Sequence, residues 1–177
     1  MHAMECLFSR RSIRSYTGEM PSDEELSLIL KSIYAAPVGM GRYDSLHVTL
    51  VKNPDYLARL EAAAGVQLGK ENYHPLYGAL VLLIFSSIFP GIPTDNSSYS
   101  NCAILSQNAA LAATSLGLGA CHIWGAIRAL NKEPQLLAEL SLPEGFAPCC
   151  ALALGKTQET YTQRDVPDSR IMTVTME

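Results

Sequence analysis

The sequence contains no G-x-G-x-x-G dinucleotide fingerprint, no phosphate-binding P-loop, no H-E-x-x-H zinc helix and no G-x-S-x-G nucleophile elbow. Hydrolytic and metal-dependent chemistry therefore have little support. The four histidines, His2, His47, His74 and His122, are scattered without metal-ligand spacing. His47 and His122 fall on predicted strands and read as packed residues. No carboxylate pair stands out for general acid–base work. The five cysteines, Cys6, Cys102, Cys121, Cys149 and Cys150, are odd in number and fit neither a disulfide framework nor a zinc site. They read as buried, reduced thiols of a cytoplasmic protein, with Cys149 and Cys150 pointing to opposite faces of a strand. No apolar run is long enough to span a bilayer. The opening Met1-His2-Ala3-Met4-Glu5-Cys6 lacks the basic segment and long apolar stretch of a signal peptide. Charge is sparse, at 17% of residues, and the net charge is −4. An acidic balance argues against a general nucleic-acid surface.

What the chain does have is apolar residues, 48% of its 177, enough for a full core in one domain spanning 1–177. Residues 2–9 read as a short helix. Ser22-Asp23-Glu24-Glu25 is a capping box opening an amphipathic helix over 23–35, with Leu26, Ile29, Leu30 and Ile33 at helical spacing. Leu46–Val51 reads as a strand, and Asn53-Pro54 opens a helix ending near Gly65. Ala79–Phe85 is apolar throughout, which predicts a strand buried on both faces. Pro90–Ser100 has loop composition.

Asn101–Leu116 is an almost uncharged helix, apolar on nearly every side. Such a helix is central to the core or shared with a second subunit. Ala120–Trp124 and Cys149–Leu154 read as strands, with a helix over about 133–141 between them. The tail Ile171–Met176 alternates like a last strand, beyond the polar linker Lys156–Asp168. A strand after such a linker can add to a partner's sheet edge, which, with the apolar helix, predicts a homodimer.

Against the acidic background stands Ser9-Arg10-Arg11-Ser12-Ile13-Arg14. Arginines interleaved with serines suit a phosphate monoester, which guanidinium forks clamp through charge-assisted hydrogen bonds. A solvated basic turn is the other reading.

Three segments, taken in order, resemble the FMN-dependent nitroreductase family. The first is Arg10-Arg11-Ser12-Ile13-Arg14-Ser15-Tyr16, similar to the family's opening signature. The second is Ser106-Gln107-Asn108-Ala109-Ala110 followed by Leu116-Gly117-Leu118-Gly119-Ala120-Cys121-His122-Ile123-Trp124-Gly125. It is similar to the family's central helix, glycine turn and the strand beneath the flavin. The third is Leu142-Pro143-Glu144-Gly145-Phe146 with Ala151-Leu152-Ala153-Leu154-Gly155.

The resemblance implies an α+β fold: a mainly antiparallel sheet flanked by helices in an intertwined homodimer, with FMN in the interface. It also implies that residues of about 156–177 form an extension packing on the partner. Carried onto this chain, Arg10 would clamp phosphate and Ser12 phosphate or ribityl oxygens. Arg14, or its neighbour Arg11, would stand near the flavin's N1–C2=O edge, where a cation stabilises the reduced anion. Arg170 matches a late phosphate arginine, with Arg164 as the other candidate. Trp124 and Gly125 match the segment whose backbone N–H reaches flavin N5.

Two features depart from the family pattern. Where many members carry polar side chains, this chain has Ala36-Pro37-Val38-Gly39-Met40-Gly41. Pro37, Val38, Gly39 and Met40 would meet the ring through backbone and apolar contacts. The 86–100 connection is short, so the cleft would be open, or closed by Phe89, Tyr99 or a partner residue. The implied activity is ping-pong electron transfer from NAD(P)H through FMN to a nitroaromatic, quinone or related small-molecule acceptor. No residue need act as acid or base. The alternatives are a flavin carrier or redox sensor, or a specialised relative acting on flavin itself or removing a substituent reductively.

Overall fold

A computed structural model describes residues 2–89 and 96–176. Within them the helices are α1 Ala3–Ser9, α2 Asp23–Tyr34, α3 Pro54–Leu68, α4 Ser97–Ser115, α5 Gly125–Leu130 and α6 Pro134–Glu139. The strands are β1 Leu46–Val51, β2 Val81–Ile88, β3 Gly119–Ile123 and β4 Phe146–Gly155. They form one antiparallel sheet in the order β1-β2-β4-β3.

The sheet is the middle of three layers, and β2 shows why. Leu82 and Ile84 point into a core shared with α3, α5 and α6, while Val81, Leu83 and Phe85 point into a second core with α2 and α4. All five are at most 1% exposed, so the continuous apolar run follows from helices on both faces. Each such side chain contributes roughly 1.5–3 kcal/mol of transfer free energy.

Local signals fix the start of α2 and both ends of α3. Glu25 N donates to Ser22 Oγ at 3.2 Å and Ser22 N to Glu25 Oε2 at 2.7 Å, the two halves of the α2 capping box. Asn53 Oδ1 accepts from the backbone of Asp55 and Tyr56 at the start of α3. That helix runs past Gly65 and stops at Gly69, whose φ of +60° supplies the left-handed cap.

Tertiary contacts decide the rest. α4 begins at Ser97, inside the stretch expected to be loop, because the Ser98 hydroxyl donates to Ile88 O at 2.7 Å and ties the first turn to β2. Residues 90–95 of that stretch lie outside the described residues. α5 was not anticipated: it is six residues long and begins with glycine. Burial of Ala126, Ile127, Ala129 and Leu130 holds it rather than propensity.

Cys149 and Cys150 do not point to opposite faces. The ladder slips between them, Phe85 facing Cys150 and Ser86 facing Pro148, and this bulge turns both thiols toward α4. Cys149 pairs with Cys102, and Cys150 with Ser106 one turn on. The tail 171–176 forms no strand within the chain, and Ile171, Met172, Val174 and Met176 are 76–98% exposed.

The end of β4 is fastened to α2 by Lys156 Nζ, which lies 2.6 Å from Glu25 Oε1. That bond, above all, holds the Glu25 carboxyl below its usual pKa. A depressed carboxylate pKa stabilises the fold above the unfolded-state value and ceases to do so as pH falls through the folded-state one. Lys156→Met is therefore expected to lower stability by about 1 kcal/mol at pH 7, with the difference from wild type closing below about pH 4. Urea unfolding at both pH values measures it; an equal loss at both would exclude the ion pair as the cause.

Candidate functional site

The arginine segment is positioned by two glycines. Gly119 and Gly155 face each other across β3 and β4. A Cβ on Gly119 would stand 2.8 Å from Ile13 Cγ2, and one on Gly155 2.7 Å from Tyr16 Cδ1. Real side-chain contacts do not come so near, so the bare backbone is the seat of Ile13 and Tyr16. Ile13 N donates to Ala120 O at 2.9 Å, laying the segment along the edge of β3. The Tyr16 hydroxyl donates to Ile13 O at 3.0 Å, and burial pushes its pKa up.

With Ile13 inward, alternation divides the cluster. Arg10, Ser12 and Arg14 gather around Cys121: Ser12 and Arg14 hydrogen-bond its thiol and Arg10 acts on it through its charge. Burial pushes the Cys121 thiol up, and Arg14, Ser12 and Arg10 offset part of that. Arg11 turns the other way. Its guanidinium donates to Thr160 O, lies 3.7 Å from Glu159 and packs 5.8 Å from the Tyr161 ring centroid. Arg11 fastens the 156–164 linker. Arg14 is exposed and reaches over Tyr77, 5.7 Å from the ring centroid.

Arg10 differs from both. It is half-buried, and its guanidinium has no hydrogen bond or ion pair among the described residues. Burial lowers its pKa, and the charge of Arg164 lowers it further. Arg164 is held there by the chain's other end: its backbone N and its Nε each donate to Phe8 O at 3.1 Å. Two guanidiniums thus stand near one another with no carboxylate between them. Such a pair favours a phosphate-like anion.

Beside it, a cavity of about 320 Å³ is lined by Ala103, Ser106, Gln107, His122, Trp124 and Cys150. His122 Nδ1 is 2.9 Å from Ser106 Oγ and its Nε2 is 3.3 Å from Gln107 Oε1. Burial, and then Arg10, hold the imidazole below its usual pKa, so it is neutral at pH 7. Trp124 stands at the mouth, 56% exposed, immediately before Gly125. Gly125 faces the Tyr73 hydroxyl, which a Cβ would approach to 3.3 Å.

The other predicted site residues lie elsewhere. Pro37–Met40 forms a turn by the start of α4, where Gly39 N donates to Asn101 Oδ1 at 3.1 Å. Met40 has a φ of +55° and is 86% exposed. Among the described residues no hydrogen bond joins this turn to Arg10, Arg11 or Arg14. Arg170 sits exposed in a single turn and has no hydrogen bond to them either. Phe89 and Tyr99 pack on each other, ring centroids 4.8 Å apart.

A second cavity, of about 580 Å³, is lined by α3 and the 69–74 segment, with no arginine in its wall. Its Glu61 is already bound to His74, at 3.1 Å, and to Leu76 N, at 2.9 Å. Sequence reasoning passed over His122 as a packed residue and over Ser106 and Gln107 as incidental polar residues. Two adjacent hydrogen-bonding side chains in an otherwise apolar helix were the available signal.

A three-layer sandwich with a basic arm on the sheet edge and a cavity beside it is the nitroreductase fold. The Nitroreductase family model matches residues 7–156, and the chain belongs to that family. The nitroreductase of Desulfitobacterium hafniense DCB-2, solved with bound FMN, superposes with a TM-score of 0.83 at 28% identity, covering 97% of each chain. The FMN-bound nitroreductase of Bacteroides fragilis NCTC 9343 gives 0.81 at 26% identity, over 99% of this chain and 100% of that one. The FMN reductase (NADPH) of Bacillus subtilis strain 168 is 28% identical over 166 residues, 87% of this chain and 65% of that protein.

Because Tyr16 rests on Gly155, Gly155→Ala must displace the ring or the strand. Overpacking of this kind costs about 1–3 kcal/mol. Urea unfolding is expected to show that loss, and an unchanged midpoint would mean that the seat is not tight.

Proposed function

We propose that this protein is an FMN-dependent oxidoreductase, reduced by NAD(P)H and reoxidised by a nitroaromatic, quinone or related acceptor. The observation that carries this reading is the half-buried, unneutralised Arg10–Arg164 pair beside the Trp124-lined cavity, in a chain of this family. The FMN-bound relatives support the choice of anion.

Bound FMN would supply the chemistry, accepting hydride from nicotinamide and releasing electrons to the acceptor. The chain's own residues hold and orient. Arg10, with Ser12 beside it, takes the phosphate end, and the shallow cavity at Trp124 and Gly125 receives the flat ring. Arg14 adds positive charge on the same side of the arm. Arg164 is the late arginine that lies next to Arg10. Arg170, on the exposed tail, remains a candidate for a second copy of the chain.

A homodimer accompanies this reading. α4 leaves Ala103 and Ile104 exposed beside the cavity. The tail and the Met40 turn present further apolar side chains outward. A twofold partner would cover these surfaces and bring its own 37–40 turn toward the cavity.

The first test is the visible spectrum of the purified protein before and after anaerobic NADH, then NADPH. Flavin bands that bleach, and return on adding a nitroaromatic or quinone, are expected. Bands that never bleach would point to a carrier or sensor, irreversible loss of absorbance to flavin as substrate, and a colourless protein that takes up no FMN would refute the site. Arg10→Ala is expected to weaken FMN binding roughly 10- to 100-fold, the range for a charge-assisted hydrogen bond, and more than Arg164→Ala does. Arg11→Ala should change it by no more than about twofold, its guanidinium being already engaged. Equal retention in the Arg10 and Arg11 variants would overturn the assignment.

A further inference from the structure

The cavity wall is a chain of polar groups whose directions can be worked out. Gln107 Oε1 lies 3.3 Å from His122 Nε2. An amide oxygen only accepts, so Nε2 carries the proton of the neutral imidazole and Nδ1 is its acceptor. The Ser106 hydroxyl, 2.9 Å from Nδ1, donates to it. The amide oxygen being taken, the –NH₂ end of Gln107 is left over. It has no hydrogen bond among the described residues, while Gln107 lines the cavity. Of the other lining side chains, Ala103 has no donor, Ser106 and His122 spend their protons within the wall, Cys150 offers only a weak thiol donor, and the Trp124 indole N–H lies in the plane of its ring, where a ligand stacked on the ring face does not meet it.

We propose that Gln107 is the donor that recognises the oxygen-bearing edge of a flat aromatic ring in this cavity. His122 is a positioning residue that fixes which end of the Gln107 amide the ring meets. The inference rests on the reading above that flat rings stack against Trp124. The oxygen belongs either to a flavin ring carbonyl or to a nitro or quinone group of the acceptor; the recognition chemistry is the same.

Nitrogen-15 NMR of the full-length protein tests it, with the Gln107 side-chain amide assigned through Gln107→Met. His122 is expected as the Nε2–H tautomer, with or without FMN. If the amide resonance moves on loading FMN, the oxygen is the flavin's; if it moves only on adding nitrobenzene to the oxidised protein, the oxygen is the acceptor's. Either shift supports the proposal, and the nitrobenzene arm is run both with and without FMN. An Nδ1–H tautomer, or an amide that responds to neither ligand, overturns it.

Gln107→Met is expected to weaken binding of the responsive ligand roughly 3- to 10-fold, the range for one hydrogen bond. Toluene, a ring without oxygen, should bind both proteins alike. His122→Phe should give a loss of similar size, and the double variant no more than either alone. Additive losses would refute the positioning role. Failure of the FMN reading shows separately, as absence of flavin absorbance.

Discussion

The close approach of Ile13 and Tyr16 to the bare backbone of Gly119 and Gly155 is the constraint on which the rest of this structure depends. A hydrogen atom on each glycine leaves room for a side chain that any larger residue would exclude. The arm therefore lies on the β3 edge at a fixed height, and with Ile13 buried its alternation has no freedom left. From that single register follow the shared face of Arg10, Ser12 and Arg14, opposite to that of Ile13, and the different direction of Arg11. Packing, rather than any property of arginine, sorts four neighbouring polar residues into two roles.

Electrostatics completes the sorting. In a chain of net charge −4, a positive group can usually find a carboxylate, and Arg11 has found Glu159. Arg10 has not, and the charge that acts on it most strongly is that of another arginine, Arg164. Like charges held together in a half-buried position cost free energy that the apo fold does not recover. They persist where the surrounding structure overdetermines them, as Phe8 does for Arg164. The screening that weakens exposed pairs acts less on such a site. Positive potential is thus focused at one place on an otherwise acidic molecule.

Much of this was legible in the sequence, and the reasons differ by element. Helix α2 and strand β1 followed from Ser22 with Glu25 and from Leu46–Val51, local signals that tertiary contacts reinforce. The start of α4 and the whole of α5 were not, because Ser98 and the buried alanines of α5 are held by partners distant in sequence. The cysteine pair was misread because a bulge reverses the rule of alternation, and no single residue announces a bulge. The arginine cluster and the Trp124-Gly125 turn were legible as a pattern. The division of labour within the cluster was not, since it depends on glycines more than a hundred residues away. His122 illustrates the same limit: its role is set by what Ser106 and Gln107 present to it across a layer.

The strap that closes the site runs between residues far apart in the chain. Arg164 meets Phe8 across 156 positions, Arg11 meets Thr160 across 149, and Thr157 meets Ser15 across 142. At ribosomal speeds of about 5–20 residues per second, the arm waits roughly 8–30 seconds for its strap to be made. For most of that interval the sheet that seats the arginines is still incomplete, since β3 and β4 come late in the chain. The proposed anion site would therefore be completed only after residue 164 is made, and ligand capture there would belong to the finished molecule rather than to the nascent one. A ligand that joins the two ends then stabilises the completed fold by mass action, so cofactor supply would set the lifetime of the newly made protein as well as its activity.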